Sequence, residues 1–183
     1  MDGVRPDSLL MLSRLTFQGE IRGALLHGKA REIIAGTRPR PCHEGREMKL
    51  PQTGGCQCGA IRYEITETPQ SVYTCHCTDC QRLTSSAFSM GVVIPDTALR
   101  LSGVEPRQLQ RTADSGRVNT RLVCPECGTW ICGTPRDGLH RVRAGTLDDT
   151  SWLRPTRHIW TRSKQSWITF AESDEVFEKG PPA

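Results

Sequence analysis

Residues 118–128 read Val118-Asn119-Thr120-Arg121-Leu122-Val123-Cys124-Pro125-Glu126-Cys127-Gly128. Val118, Thr120 and Leu122 alternate with Asn119 and Arg121, the period of two that marks a strand with one face toward a core. The strand runs straight into Cys-Pro-Glu-Cys-Gly. Two intervening residues on a tight turn allow both sulfurs to face one ion; Pro125 helps set the turn and Gly128 lets the chain double back. One such pair supplies half of a tetrahedral zinc site, in which Zn–S is about 2.3 Å.

Two more clusters precede this one. Gly54-Gly55-Cys56-Gln57-Cys58-Gly59 offers a second pair, with glycine on both sides. Two pairs from strands distant in sequence complete a closed four-thiolate site, which contributes folding free energy directly. The remaining cluster, Cys75-His76-Cys77-Thr78-Asp79-Cys80, offers three sulfurs in six residues and no obvious fourth ligand. Three ligands and an open position mark a catalytic or exchange site. Residues 79–84 read as a first helical turn, whose N-terminus favours thiolate over thiol. His76, between two ligands, is expected to point its side chain away from the ion. Cys42 reads as a free thiol, and Cys132, in the strand Thr-Trp-Ile-Cys-Gly, as a small buried hydrophobe. His27, His43, His140 and His158 lack ligand spacing.

Outward from these clusters the chain is a series of short strands. Ile61, Tyr63 and Ile65 alternate with Arg62, Glu64 and Thr66. Residues 88–94, Leu99 with Leu101, and residues 140–146, 156–160 and 166–170 are further candidates; only Thr78 to Thr84 reads as a helix. The fold class expected is all-β. Residues 1–47 differ: Phe17 is their only aromatic, Gly23 and Gly28 interrupt a weak helical pattern, and residues 36–46 read as linker. They are expected to form a poorly ordered extension, with Met48 a candidate start of the chain proper. The domain is expected over 48–172, with a flexible tail over 173–183.

The 183 residues suit one domain plus an extension, and 36% hydrophobic residues suit one modest core. No stretch approaches the roughly 20 apolar residues of a membrane-spanning helix, and Leu9 to Leu12 is too short for a secretory signal. Charge is balanced, with 8 basic against 6 acidic residues before Met48 and 16 against 14 from it onward. Neither part carries the dense basic patch of a nucleic-acid binder. Nine cysteines without a secretory signal point to metal in a reducing, cytoplasmic setting rather than to disulfides.

The order Cys-x-Cys-Gly, then Cys-His-Cys-x-x-Cys-Gln-Arg, then Cys-Pro-x-Cys-Gly-Thr resembles the glutathione-dependent formaldehyde-activating enzyme family, which also includes centromere protein V. Ala144-Gly145-Thr146-Leu147-Asp148-Asp149-Thr150-Ser151-Trp152-Leu153 and Arg157-His158-Ile159-Trp160-Thr161-Arg162-Ser163 are similar to it as well. The resemblance spans residues 48–170. It implies an Mss4-like β-tent of antiparallel sheets clasped by two zinc ions. Cys56, Cys58, Cys124 and Cys127 would hold the structural zinc. Cys75, Cys77 and Cys80 would hold a second, more labile zinc associated with catalysis. The implied activity is a carbon–sulfur lyase that joins formaldehyde and glutathione, so the expected partners are a small aldehyde and a thiol. Two departures touch no ligand: Thr84-Ser85-Ser86 stands where members often have Gly-Ser, and Val123 where an aromatic is common. Arg82, Arg157 and Arg162 are candidates to pair a glutathione carboxylate. Two rival functions are a non-catalytic zinc module that binds a protein partner, and a thiol oxidoreductase of the methionine sulfoxide reductase type. The latter would have only Cys42 and Cys132 as attacking thiols.

Overall fold

The computed structural model describes residues 48–113 and 116–181. The readings made for residues 1–47, Cys42, His27 and His43 among them, lie outside the described residues. The alternation read from residue 61 is the seed of the core: Ile61, Tyr63 and Ile65 are buried while Arg62 and Glu64 are exposed. This strand, β2 (Ile61–Ile65), lies between β1 (Gln52–Gly55) and β5 (Leu99–Gly103) in a three-stranded antiparallel sheet.

The second sheet has eight strands. They are β3 (Ser71–Cys75), β4 (Ser89–Pro95), β6 (Arg107–Thr112), β7 (Val118–Val123), β8 (Trp130–Gly133), β9 (Leu139–Arg143), β10 (Arg157–Ile159) and β11 (Glu175–Val176). Their spatial order is β11-β10-β3-β4-β9-β8-β7-β6. The single α-helix among the described residues is α1 (Thr78–Thr84), as the sequence indicated. This mostly-β architecture of short strands agrees with the Mss4-like fold that the resemblance implies. Ile61, Tyr63, Ile65, Val92, Ile94, Ile131 and Val142 are fully buried between the two sheets' strands. Side chains of this size contribute about 1.5–3 kcal/mol each when fully buried. No helix of the described residues is long and apolar enough to cross a membrane.

Several strands depart from expectation. β3, β6 and β11 have no clear alternation, and only pairing with neighbours defines them. β10 runs parallel to β3 and to β11, so the sheets are not wholly antiparallel; the segment after β9 crosses over and returns beside β3 in the same direction. Residues 166–170 form no strand. They hold a turn, with the Ile168 amide bonded to the Gln165 carbonyl at 3.1 Å, and Phe170 stacks on His158 at 4.2 Å instead of joining a ladder. Beyond Glu172, backbone pairing reaches as far as Lys179, whose carbonyl accepts the Trp160 amide at 2.9 Å. β11 pairs with β10, and the Phe177 amide donates to the His158 carbonyl at 2.8 Å. The alternation of β7 does not translate into burial either: Val118 is exposed and only Val123 is buried, because the β6–β7 hairpin forms the edge of the sheet.

Candidate metal centres

Four cysteines meet where two turns approach each other. Cys56 and Cys58 lie on the turn between β1 and β2, Cys124 and Cys127 on the turn between β7 and β8. Their sulfurs all lie within 4.8 Å of one another, with Cys56–Cys58 at 3.5 Å and Cys58–Cys124 at 3.8 Å. A zinc ion with Zn–S of about 2.3 Å in a tetrahedron spaces its sulfurs about 3.8 Å apart, so the donor set fits that ion. Each turn is tied by its backbone. The Ile61 amide donates to Cys56 Sγ at 3.2 Å and the Cys56 amide to the Ile61 carbonyl at 3.0 Å. In the other turn the Gly128 amide donates to the Cys124 carbonyl at 3.0 Å, and Gly128 has a φ of +74°, the left-handed conformation that favours glycine. Thr129 joins the turns: its Oγ1 accepts from the Gln57 amide at 3.2 Å and contacts Cys127 Sγ at 3.1 Å. That hydroxyl, then the Thr129 backbone, lowers the Cys127 thiol to about 5. Cys58 behaves oppositely. The Ala60 backbone pulls it down, but the sulfurs of Cys56 and Cys127 outweigh it and the thiol rises to about 12. Against the upward pull of burial, the Ile61 amide and then the sulfurs of Cys58 and Cys124 also lower the Cys56 thiol.

The second cluster is built at the end of a strand and the start of a helix. β3 delivers Cys75, and Cys77 caps α1 by accepting the Cys80 amide on its sulfur at 3.4 Å. Cys75 and Cys77 are 3.6 Å apart, and all three sulfurs lie within 4.8 Å of one another. Hydrogen bonds from Cys75 and then Cys80 hold the Cys77 thiol down at about 2, while Cys75 is pushed up, first by Cys77 and Cys80 and then by burial. Three soft donors at this spacing also suit zinc. Among the described residues no fourth Cys, His or carboxylate joins the group.

A hydrogen-bonded chain lies behind this cluster. The His76 side chain is 1% exposed; its Nε2 contacts Thr74 Oγ1 at 2.9 Å, Thr74 Oγ1 contacts His158 Nδ1 at 2.6 Å, and His158 Nε2 reaches Asp174 Oδ2 at 3.1 Å. A carboxylate only accepts, so His158 donates from Nε2. With both rings neutral, His158 Nδ1 then accepts the Thr74 hydroxyl and Thr74 accepts from His76 Nε2–H. Burial, then His158 and Lys164, lower His76 to about 4, which keeps its ring neutral at pH 7. Its Nδ1 is buried without a hydrogen-bond partner. The His76 carbonyl is fixed as well, accepting Gln81 Nε2 at 2.7 Å and Ser163 Oγ at 3.0 Å.

These contacts explain several residues singled out from sequence. His76 is buried and orders the segment between two cysteines. His158 is a strand residue that bridges Thr74 and Asp174. Cys132 is fully buried, outside both clusters, with its thiol pushed up to about 12 by burial. Arg157 is committed to Glu175 at 2.5 Å, and Arg162 stacks over Trp160. Arg82 borders a hollow of about 470 Å3 with Gln81, Ser85, Ser86, Ala87 and Trp167, on the residues immediately after Cys80. Thr74 and Asp174 carried no signal in the sequence, since a lone threonine and a tail aspartate are brought together only by β10 and β11.

A crystal structure of a Rhodobacter sphaeroides protein, a structural-genomics target, is similar at 18% identity and a TM-score of 0.43, covering 56% of this chain and 91% of that one. No curated protein sequence matches the chain. Residues 51–163, which contain all seven clustered cysteines, match the family described as glutathione-dependent formaldehyde-activating enzyme. With both sulfur clusters formed inside that matched span, the chain belongs to the glutathione-dependent formaldehyde-activating enzyme family.

Proposed function

We propose that this protein is a zinc-dependent carbon–sulfur lyase that makes and breaks the adduct of a small aldehyde and a thiol, with glutathione as the thiol. Cys56, Cys58, Cys124 and Cys127 would hold a structural zinc, and Cys75, Cys77 and Cys80 a second one. The observation that carries the reading is the convergence of three sulfurs, with no fourth protein ligand among the described residues. A zinc bound there would supply Lewis acidity and deprotonate a thiol that joined the three cysteines.

The chain's own residues do the rest. Cys77, as the cap of α1, presents its sulfur to the site. Gln81 and Ser163 hold the His76 carbonyl, so the two flanking cysteines keep their spacing. The hollow would take the peptide part of the thiol, with Arg82 pairing a carboxylate and the exposed Trp167 covering one side. In the forward direction the thiol sulfur forms a bond to the aldehyde carbon, the carbonyl π bond breaks, and the thiol proton ends on the carbonyl oxygen; the lyase direction is the reverse.

A titration tests the reading. Zinc bound to the full chain is counted by mass spectrometry as glutathione is added, and aldehyde consumption is followed by proton NMR. Glutathione should engage or remove one zinc and spare the other, because only one site has room for an incoming thiol. If neither zinc responds and no small aldehyde reacts faster than with glutathione alone, the lyase reading fails. The alternative, a non-catalytic zinc module that binds a protein, is favoured by one observation: all six residues of β6 are exposed at the edge of the large sheet, where another strand can pair.

A further inference from the structure

Arg143, the last residue of β9, is a buried cation without a carboxylate. It is 7% exposed, and among the described residues no aspartate or glutamate oxygen lies within 4.0 Å of it. Its partners are neutral. Nη2 donates to the Tyr73 hydroxyl at 2.8 Å and to the Arg141 carbonyl at 3.3 Å, and the guanidinium lies 4.2 Å from the centre of the Trp130 ring. Nε is buried with no hydrogen-bond partner. The space around it is kept open: a Cβ at Gly91, which pairs with Arg143 across β4 and β9, would sit 2.6 Å from Nη2 and 2.7 Å from the Tyr73 ring. An isolated buried charge is costly unless an opposite charge offsets it. Cys132 does not provide one, since burial holds it as a thiol.

The remaining contact leads to the three-cysteine cluster. Arg143 Nη1 donates to Ser89 Oγ at 3.3 Å. Ser89 is 2% exposed and pairs with Cys75, one of the three cysteines, across β3 and β4. A guanidinium can only donate, so the Ser89 oxygen accepts from it and the Ser89 proton stays free for another acceptor. Three thiolates and a divalent cation leave one net negative charge, which one guanidinium balances. The four-cysteine cluster has no such need, because Cys58 is exposed and water screens its excess charge.

We propose that Arg143, acting through Ser89 opposite Cys75, is the buried counter-charge that retains the metal ion in the three-cysteine site. Arg143 is thus a positioning residue, and the inference rests on the two-site reading above. The test uses the full chain loaded with zinc, with each equivalent titrated against a chromophoric chelator. Wild type should hold two equivalents. Arg143→Met should lose about 10–100-fold in affinity for one of them, as removing a supporting contact to a metal ligand typically does, and none for the other. Arg143→Lys, which keeps the charge but not the forked geometry, should fall between. Ser89→Ala leaves the cation in place, perturbs packing least, and should weaken the same equivalent. Two equivalents held as tightly in Arg143→Met and Ser89→Ala as in wild type would overturn the inference alone. So would equal weakening of both equivalents with a lowered melting temperature, or a lysine variant no better than methionine. A wild-type protein with a single equivalent would overturn the two-site reading and this inference with it.

Discussion

Ser85 ends α1 with φ 50° and ψ 38°, a left-handed conformation that costs a residue with a Cβ about 1 kcal/mol or more and glycine almost nothing. It stands in the Thr84-Ser85-Ser86 segment, where family members often carry Gly-Ser. The Ser85 amide donates to the Arg82 carbonyl at 3.4 Å, so the cap works despite the strain. Ser85→Gly should therefore stabilise the protein by about 0.5–1 kcal/mol, read as a higher urea midpoint with unchanged slope. A lower midpoint would show that the serine side chain contributes more than its backbone costs.

Asp174 belongs to the same scale. The His158 ring beside it, assisted by the Ala171 amide and Arg154, holds its carboxyl below the ordinary value of 3.8, against the upward pull of burial. A depressed carboxylate stabilises the folded state fully above its unfolded pKa, and that contribution is lost as pH falls through the folded value. Wild type should thus exceed Asp174→Asn in stability at pH 7, and the gap should narrow below about pH 4. Denaturant midpoints for both proteins from pH 7 downward check this; a gap that does not change with pH would remove the charge from the account.

At the scale of elements, the first cluster joins sheets and the second joins a strand to a helix. Cys56 and Cys58 come from the three-stranded sheet, Cys124 and Cys127 from the eight-stranded one, so an ion held by all four closes contacts between turns far apart in sequence. Structural zinc contributes roughly 10–16 kcal/mol of apparent binding energy in small domains. Cys124→Ser should accordingly leave the domain unfolded or without fixed packing. Cys77→Ser acts only where β3 meets α1, a helix of seven residues with none buried. It should weaken one zinc and leave the sheets standing. Circular dichroism and a melting curve separate the two outcomes; a Cys124→Ser protein that melts like wild type would refute the structural role.

For the whole molecule, the useful control is a cysteine that belongs to neither cluster. Cys132 is fully buried beside the Val142 register of β9 and lies apart from both sulfur groups. Cys132→Ala should leave the zinc count unchanged and cost stability by about 1 kcal/mol for the lost buried sulfur. Loss of a metal equivalent in that variant would mean that the ligand sets are drawn wrongly.

The two cysteine pairs, the three-cysteine run, the helix over residues 78–84 and the alternating strand over residues 61–65 were legible from sequence because each depends on neighbours a few positions away; the meeting of the two pairs across 66 positions belongs to the tertiary structure. Ligand spacing on a turn, capping and period-two burial are local physics. The tertiary structure decided what depends on long-range pairing. It ran β10 parallel to β3, paired β11 with β10, and turned residues 166–170 into a cover for His158. It also gathered Thr74, His158 and Asp174 behind His76, and set Arg143 against Ser89, opposite Cys75. Polar residues carry no periodic signal, and the physical requirement that reveals them, a buried donor or charge in need of a partner, exists only once the chain is folded.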